Sequence, residues 1–378
     1  MSPPFLLLPP QIIMPSEFRH RLKLLRRRIS ESDAAALVVT HLPNVRYLSG
    51  FTGSAGILVV QPDRATLFTD GRYAVQAPQQ VRPAGVHAII PPTSILRAAG
   101  EYLGSRQKRG SHRIAFDPNQ LTVAQHKDLR RTGGGRISWI FGTGWVEGLR
   151  LLKSPPEIAK MRAAARLIST VFDEVVPLIR PGVTELDLAA EIDYRMRKLG
   201  ASGPSFETIV ASGPRAALPH AQPTRKRLRR NELVVLDAGA ILADYCSDLT
   251  RTVFVGRASK SIKAWYRAVL EAQAAGIAAV AAGVDSSAPD AAARRVLDAQ
   301  GLGKYFVHST GHGLGLEIHE APRLAKGQKA KLQAGMVVTV EPGIYVEGIG
   351  GIRIEDDVAI HAGRTEVMTT ATKELLEL

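Results

Sequence analysis

The stretch ELVVLDAGAILADYCSDLTRTVFV, residues 232–255, contains two apolar runs with a carboxylate at one end of each. Asp237 ends the run LVVLD, and Asp248 directly precedes LTRTVFV. Short apolar runs bounded by Gly, Asp and Ser are typical of β-strands. We expect these two strands to pair and the two carboxylates to face each other across the ladder. The stretch therefore predicts a strand pair that presents two acidic side chains at one place.

Three more potential metal ligands follow along the chain. His312, Glu341 and Glu355 each stand beside a glycine, strand or turn signal. Four carboxylates and one imidazole form a hard, oxygen-rich donor set, which suits a pair of Mn²⁺-like ions better than a thiolate-bound structural zinc. Such a site makes hydroxide from water at neutral pH. The sequence therefore predicts a hydrolytic site with two divalent cations per chain, Mn²⁺ first and Co²⁺ or Zn²⁺ as alternatives.

The segment LLKSPPEIAKMRAAARL, residues 151–167, indicates a boundary between two domains. Ser154 is a candidate helix N-cap, two prolines follow in the first turn, and Glu157 stands near the positive end of the helix dipole. A chain of 378 residues is also too long for one core, and it predicts two or three domains. The predicted division is a loose extension at residues 1–13, a first domain at 14–150 and a second domain at 151–378.

The first domain alternates short apolar runs with helical stretches. Pro, Gly and Asp separate the runs, and this alternation is typical of an α/β domain. The apolar runs lie near residues 36–40, 47–51, 56–60 and 65–69, and the helical stretches lie near 94–104 and 122–131.

The second domain contains the order helix, helix, strand, strand twice. A duplicated α/β half with the site between the halves is the simplest interpretation, and each half then contributes two carboxylates. The predicted helices are 156–178, 185–199, 260–282 and 288–300, and the predicted strands are 206–212, 233–240, 249–255, 316–319, 336–341, 344–347 and 352–360.

Cysteine content and hydropathy narrow the cellular setting. The single cysteine, Cys246, excludes an internal disulfide and fits a reducing, cytoplasmic compartment. The apolar start of the chain is interrupted by prolines and is too short to span a bilayer. We therefore expect a cytoplasmic protein without membrane association.

The net charge of +14 is concentrated in residues 1–150, which hold 20 Lys and Arg against 9 Asp and Glu. Clustered arginines attract nucleic-acid phosphates. However, Arg26, Arg27 and Arg28 lie on an otherwise amphipathic helix, and no helix-turn-helix, zinc-finger or RNA-binding signature accompanies them. We therefore favour a solvated, solubilising face over nucleic-acid binding.

Six motifs follow one another in the second domain: LPHA (218–221), LDAGA (236–240), SDLTRT (247–252), GHGLGLEIHE (311–320), VEPGIY (340–345) and GIRIEDD (351–357). In this order they resemble the serial motifs of the dinuclear metallopeptidases with the pita-bread fold, and they are most similar to those of aminopeptidase P and its relative prolidase. The stretches NVRYLSGFTGSAG (44–56) and TDGRYAVQA (69–77) are similar to the N-terminal domain of the same proteins.

The resemblance implies an α/β (α+β) chain. A creatinase/prolidase-like α/β domain precedes a pita-bread domain, whose halves repeat helix, helix, strand, strand about a pseudo-twofold axis. It also implies roles for the ligands. Asp248 and Glu355 bridge two metal ions, and Asp237 chelates one of them. His312 and Glu341 complete the other, and Glu341 also accepts the proton of the bridging water.

Three histidines and one arginine are further candidates for this site. By resemblance, His220 contacts the substrate or stabilises the tetrahedral intermediate, and His319 donates a hydrogen bond to the substrate beyond the scissile bond. His308 is a third candidate, and a neutral imidazole opposes charge that develops on a carbonyl oxygen. A histidine satisfied by backbone groups is the alternative for each. Arg353 stands two residues before Glu355, on the same face of a predicted strand, where it would hold a ligand carboxylate.

The function that the resemblance implies is a metal-dependent exopeptidase that cleaves between an N-terminal residue and a following proline. That bond lacks the amide N–H on which general aminopeptidases rely. Aminopeptidase P is favoured over the dipeptide-specific prolidase, the substrates are small peptides with proline at the second position, and a homodimer is expected. A non-catalytic pita-bread binding module and a creatinase-like hydrolase are the competitors, and the complete ligand set argues against both.

Overall fold

The structure is a computed structural model, and it describes residues 15–105 and 112–378. The predicted loose extension at residues 1–13 lies outside the described residues. Two compact units are present, one ending at Arg150 and the other beginning at Leu151. Within the described ranges, no helix is long and apolar enough to cross a lipid bilayer.

The first unit is built on a six-stranded mixed sheet with the order β4-β3-β2-β1-β5-β6. Strand β1 is buried along its whole length, as its uninterrupted apolar sequence ALVV predicts for a central strand. The helices are α1 Pro15–Glu31, α2 Leu42–Ser49, α3 Gln76–Val81, α4 Ile95–Ser105, α5 Val123–Gly133 and α6 Glu147–Arg150, and the strands are β1 Ala36–Val39, β2 Ile57–Val60, β3 Ala65–Phe68, β4 His87–Ile89, β5 His112–Phe116 and β6 Ile137–Phe141.

The apolar run at residues 47–51 is not a strand. It forms the end of α2, which has a proline in its first turn and ends at Gly50 in the left-handed conformation, with φ +78°. A proline at the start and a glycine just past the end favour a helix, whatever the apolar content between them. Strands β4, β5 and β6 were not predicted, because a polar residue begins or interrupts each of them.

The arginine run on α1 is partly used within its own unit. Arg26 donates a hydrogen bond to the Gln61 carbonyl at 3.2 Å, and the exposed Arg27 pairs with Glu31 at 2.8 Å. The Arg28 guanidinium lies 5.9 Å from the Trp145 ring centroid. These contacts fit the interpretation of a solvated face, and a nucleic-acid partner stays a matter for experiment.

The second unit contains the other four long helices and most of the strands. Its first helix is α7, and Ser154 caps it in a reciprocal capping box with Glu157, as the sequence predicts. The helices are α7 Pro155–Val175, α8 Glu185–Lys198, α9 Lys260–Ala278 and α10 Ala288–Ala299, and the strands are β7 Gly203–Pro204, β8 Ile209–Ser212, β9 Glu232–Ala238, β10 Ala240–Leu242, β11 Tyr245–Cys246, β12 Leu249–Val255, β13 Gly311–Gly313, β14 Glu320–Leu324, β15 Val337–Val340, β16 Gly343–Val346, β17 Gly350–Arg353, β18 Asp356–His361 and β19 Arg364–Val367.

Two halves of similar order make up this unit. In the first, α7 and α8 precede the antiparallel sheet β12-β9-β8, and in the second, α9 and α10 precede the five-stranded sheet β14-β13-β15-β18-β19. Each half buries its own apolar cluster, one around Val234 and Val253 and another around Val338 and Val358. The predicted repeat of helix, helix, strand, strand is confirmed.

Two predicted strands of the second half are wrong in detail. Residues 316–319 are irregular, and β13 and β14 flank them instead. Glycines allow β13 to form, because a Cβ at Gly311 would lie 2.0 Å from the Thr339 carbonyl oxygen. The strand expected over 352–360 is broken between Arg353 and Asp356, and β17 and β18 belong to different sheets.

Candidate active site

A cavity of about 650 Å³ opens in the second unit. It contains every side chain that the sequence singled out for the site. The predicted residues that line it are Asp237, Asp248, His312, Glu341 and Glu355, together with His220, His308, His319 and Arg353. Residues far apart in the chain therefore meet at one place.

The strand pair β9 and β12 positions the first two carboxylates. Their register places Thr250 directly opposite Asp237, and Asp248 comes one residue before β12 begins. The expectation that the two carboxylates face each other is therefore wrong. They are diagonal neighbours, because Asp248 and Thr250 are two residues apart and so share a face.

Asp237, Asp248 and Glu355 form a compact acidic cluster. Each offers one carboxylate oxygen, and these atoms lie within 4.8 Å of one another. All three residues are buried. Burial, and next the charge of Glu355, raises the pKa of Asp248 well above its ordinary value. Burial, and next Glu341, does the same to the pKa of Glu355.

Two oxygen atoms of this cluster have no hydrogen-bond partner among the described residues. They are Oδ1 of Asp237 and Oδ1 of Asp248, and both are inaccessible to solvent. Buried polar atoms are nearly always satisfied, and buried charges are paired or bind metals. The described side chains therefore do not supply enough positive charge to balance the carboxylates of the cluster.

The His312 ring faces two carboxylates. Its Nδ1 lies 2.9 Å from the Gly313 carbonyl oxygen, which only accepts, so Nδ1 carries the proton. Its Nε2 lies 3.7 Å from Asp248 Oδ2 and 3.6 Å from Glu341 Oε1. Burial lowers the pKa of His312 to about 4 and raises the pKa of Glu341 to about 8. A neutral imidazole with a free lone pair therefore faces the acidic cluster.

This donor set fits divalent cations. Carboxylate oxygens with one neutral imidazole suit hard or borderline ions. Cations would also supply the missing positive charge beside the unsatisfied oxygen atoms of Asp237 and Asp248. The hydrogen bond from His312 to a backbone carbonyl is the usual way in which a protein fixes the tautomer of a ligating histidine.

Arg353 is bonded to Asp237 and to Thr250. Its Nη2 donates to Asp237 Oδ2 at 2.6 Å, and its Nε donates to Thr250 Oγ1 at 3.1 Å. The side chain is almost completely buried. Arg353 and Glu355 do not share one strand, since β17 ends at Arg353, yet both side chains line the cavity.

The His308 ring is engaged on both nitrogens. Its Nδ1 lies 2.8 Å from the Ser309 carbonyl oxygen and therefore carries the proton. Its Nε2 lies 2.8 Å from the Tyr345 hydroxyl, which in turn accepts from Arg353 Nη1 at 2.7 Å. Burial lowers the pKa of His308 to about 4, so the ring is neutral. The expectation that His308 donates to a substrate carbonyl is wrong, because its only N–H is bound to the backbone.

His220 and His319 stand at the exposed part of the cavity wall. The His319 ring packs edge-on against His312, with 4.5 Å between the ring centroids. His220 follows the short 3₁₀ turn Gly213–Ala217. Within the described chain, no side-chain hydrogen bond holds either ring, so both remain available to a bound molecule.

Three supporting residues were not identified from the sequence. Thr250 Oγ1 donates to Glu355 Oε2 at 2.6 Å, and the Asp248 N–H donates to Asp357 Oδ2 at 3.0 Å. Tyr345 links Arg353 to His308. All three stand inside the motifs SDLTRT, VEPGIY and GIRIEDD, but a motif does not show which of its side chains supports the others.

A cavity with a buried carboxylate cluster, a neutral imidazole aimed at it and free histidines at its wall has the composition of a metallohydrolase site. Residues 159–362 match metallopeptidase family M24, and residues 21–152 match the creatinase/prolidase N-terminal domain. The chain belongs to metallopeptidase family M24. The predicted family and the predicted pita-bread fold are confirmed.

Similar proteins match along nearly the whole chain. An Xaa-Pro dipeptidase from Pyrococcus horikoshii is 40% identical over 358 residues, which cover 94% of this chain and 98% of that protein. The solved structure of an Xaa-Pro dipeptidase from Bacillus anthracis is 38% identical, covers 96% of this chain and 100% of that one, and has a TM-score of 0.90. An X-Pro aminopeptidase from Thermotoga maritima is 34% identical, covers 94% and 99%, and has a TM-score of 0.86.

Proposed function

We propose that this protein is a metal-dependent Xaa-Pro dipeptidase. The sequence alone favoured aminopeptidase P, with prolidase as the alternative. The relatives named Xaa-Pro dipeptidase, which match over nearly the full chain, shift the balance to the alternative. An Xaa-Pro aminopeptidase is the second candidate, because the similar protein from Thermotoga maritima has that name.

An arginine side chain in the cavity supports a dipeptide as the substrate. Arg323 lines the cavity, and on strand β14 it lies opposite His312 of strand β13. Among the described residues, no hydrogen bond or ion pair occupies its exposed guanidinium. The second residue of a dipeptide carries a free carboxylate, which an arginine binds through two parallel hydrogen bonds. In a longer peptide that carboxylate is replaced by an amide, so Arg323 would discriminate by length.

The metal-binding side chains in this proposal are Asp237, Asp248, His312, Glu341 and Glu355, which would hold two divalent ions, Mn²⁺ first. When bound, the ions polarise the scissile carbonyl and lower the pKa of water. Glu341 is the carboxylate that would accept the proton of the water, and it lines the cavity beside His312. Arg353 orients Asp237 through their 2.6 Å hydrogen bond.

The free histidines orient the substrate. His220 and His319 are exposed within the cavity wall, and each has an N–H that can donate to a substrate oxygen. A preorganised donor stabilises negative charge that develops on a carbonyl oxygen. The retained ligand set argues against a non-catalytic binding module and against a creatinase-like hydrolase.

The test compares an Xaa-Pro dipeptide with an Xaa-Pro-Xaa tripeptide at fixed Mn²⁺ concentration, and it measures bound metal by elemental analysis. We expect two ions per chain and a clear preference for the dipeptide. Arg323→Ala should lower kcat/KM for the dipeptide by roughly ten- to a hundredfold, as expected for a lost charged hydrogen bond, and should leave the tripeptide rate unchanged. The matched control is Arg295→Ala, since Arg295 is exposed on α10 and does not line the cavity.

Equal cleavage of both peptides, with no effect of Arg323→Ala, would identify an aminopeptidase instead. A protein that binds no divalent metal and cleaves neither peptide would contradict the whole proposal. We also propose a homodimer and a cytoplasmic location, which the resemblance and the single Cys246 indicate. Light scattering on the purified protein tests the first.

A further inference from the structure

We propose that Glu185 is a positioning residue for His220. One buried carboxylate fastens both ends of the loop that carries this histidine. The side chain of Glu185 has no solvent exposure and lies in the first turn of α8. It does not line the cavity and is not among the acidic side chains of the cluster. The kinetic part of this inference rests on the proposed function.

The near end of the loop is held by Glu185 Oε1. Ser212, the last residue of β8, donates its backbone N–H at 2.9 Å and its hydroxyl at 2.8 Å to this oxygen. Arg215, in the turn that follows, donates its Nε to Oε2 at 3.1 Å. The chain is therefore fixed where it leaves the sheet.

The far end of the loop is held by Glu185 Oε2. Thr224 donates its backbone N–H at 3.0 Å and its hydroxyl at 2.7 Å to this oxygen. Backbone hydrogen bonds from the first turn of α8, whose N–H groups have no partner within the helix, also hold this end. The N–H groups of Glu185 and Leu186 donate to the carbonyls of Lys226 and Thr224, each at 3.0 Å. One carboxylate thus joins Ser212 to Thr224 and closes the segment 213–223 between them.

The position of the His220 ring depends on this loop. The ring is exposed, and among the described residues no side-chain hydrogen bond holds it. Its neighbours Pro219, Ala221 and Gln222 line the cavity with it. Arg353 also donates to the Pro219 carbonyl at 3.3 Å, a longer contact than those at the loop ends. A catalytic group that shifts by about 1 Å loses roughly a hundredfold in rate.

Glu185→Gln changes the clamp with little change in volume. The two carboxylate oxygens face a backbone N–H at each end of the loop. A glutamine side chain has only one oxygen, so its NH₂ group would face one of these backbone N–H groups. Both groups are donors, and no hydrogen bond forms between them. The substitution also removes the negative charge beside Arg215. One end of the loop therefore loses its backbone hydrogen bond to residue 185 and is held less firmly.

The kinetic test is a double-mutant cycle on Xaa-Pro dipeptide hydrolysis with bound metal measured in parallel. We expect His220→Ala to lower kcat by about a hundred- to a thousandfold, the loss typical of one preorganised donor. Glu185→Gln should lower kcat by roughly ten- to a hundredfold with both variants retaining metal. In the His220→Ala background, Glu185→Gln should have no further effect on kcat. Losses that multiply would overturn the inference, because a merely structural defect adds to that of His220.

A matched control and a milder variant keep the result readable. Glu366 is a partly buried carboxylate that is also paired with an arginine, Arg162, but it does not line the cavity. Glu366→Gln should lower thermal stability and leave kcat unchanged. Thr224→Val removes one donor to Glu185 without touching the glutamate. It should lower kcat less than Glu185→Gln does, and it serves if Glu185→Gln does not fold.

Limited trypsin proteolysis gives a readout that does not depend on activity. Cleavage after Arg215 and Arg225, mapped by mass spectrometry, should be faster in Glu185→Gln than in the unchanged protein or in Glu366→Gln. An unchanged cleavage rate at both sites would overturn the clamp. If the protein cleaves no Xaa-Pro peptide yet Glu185→Gln opens the loop to trypsin, the proposed function fails and the clamp stands.

Discussion

Glu355 and Asp356 are neighbours in the chain, and their buried carboxylates have opposite surroundings. Glu355 points into the cavity beside Asp237 and Asp248, and its pKa is raised well above the ordinary value by burial and by nearby carboxylates. Asp356 begins β18 and points to the other face. Burial alone would raise its pKa too, but Arg251 and Lys373 hold it below the ordinary value.

The surroundings of Asp356 supply all the charge that it needs. Arg251 Nη2 and Lys373 Nζ each approach it at 2.8 Å, and Gln273 and Thr369 donate further hydrogen bonds. The chain therefore neutralises one of the two adjacent carboxylates with its own cations. It gives the other, Glu355, no cationic side chain as a direct partner, so a bound cation would have to neutralise it. A folded structure thus separates acids that serve stability from acids that serve a site by the partners it gives them.

The largest expected effect is the loss of hydrolysis in Glu355→Gln. The substitution removes a charge that has no cationic side chain of its own in the cluster. We expect metal occupancy to fall and turnover to disappear, and we expect the metal-free protein to unfold at the same or a higher urea concentration, because the cluster then holds one buried carboxylate fewer. Asp248→Asn should behave alike. Retention of two tightly bound ions with near-normal turnover would sink the ligand assignment.

The same change one residue later should give the opposite result. Asp356→Asn leaves Arg251, which is 1% exposed, without its carboxylate. Breaking a buried ion pair costs about 3–5 kcal/mol, so the free energy of unfolding should drop by this amount in a urea titration. Metal affinity, measured on the folded fraction, should change little. A stable Asp356→Asn protein would show that the two acids do not differ as described.

Metal removal should make the stability of the protein decrease as pH rises. In the metal-free protein the raised pKa of Glu341, about 8, favours the protonated folded state. Its stabilising contribution is complete below the unfolded value near 4.5 and is lost as pH rises to about 8, with a slope of up to about 1.4 kcal/mol per pH unit. Chelator-treated protein should therefore weaken between pH 5 and 8, and Mn²⁺ should abolish the decline. A flat profile after chelation, or one that Glu341→Gln leaves unchanged, would contradict this.

The smallest expected effects come from two matched threonines. Thr250 donates to Glu355 at 2.6 Å, and Thr369 donates to Asp356 at 2.7 Å. Each replacement by valine removes one hydrogen bond worth about 1 kcal/mol. Thr250→Val should lower metal affinity by roughly ten- to a hundredfold and hardly change thermal unfolding. Thr369→Val should lower thermal stability and leave metal affinity intact. An equal change of metal affinity in both variants would contradict the difference between Glu355 and Asp356.

The sequence predicted elements well where local signals agree. The capping box at Ser154 and Glu157 and the long apolar strands near Asp237 and Asp248 combine turn residues with a clear period. The strand predicted at residues 47–51 was wrong because an apolar run alone does not distinguish a helix end from a strand. The break between Arg353 and Asp356 failed because nothing local shows that a chain changes sheets.

The site was predicted as a set of residues but not as a geometry. Motif order singled out the carboxylates and histidines that line the cavity. It could not show that Thr250, rather than Asp248, lies opposite Asp237, since register depends on pairing over the whole strand. Nor could it show that Tyr345 and Ser309 occupy both nitrogens of His308. The contact with Tyr345 joins residues 37 positions apart, and a single sequence does not show such a pairing.

The arginine beneath the acidic cluster also depends on residues far along the chain. Arg251 donates to the carbonyls of Ala371 and Thr372, each at 2.8 Å, as well as to the backbone of Glu355. During translation, Asp237 and Asp248 leave the ribosome long before any of these acceptors exists. The backbone of Glu355 is therefore held by an arginine whose own position is fixed only once residues 371 and 372 have been made. The support of the acidic cluster is completed later in the chain than the cluster itself.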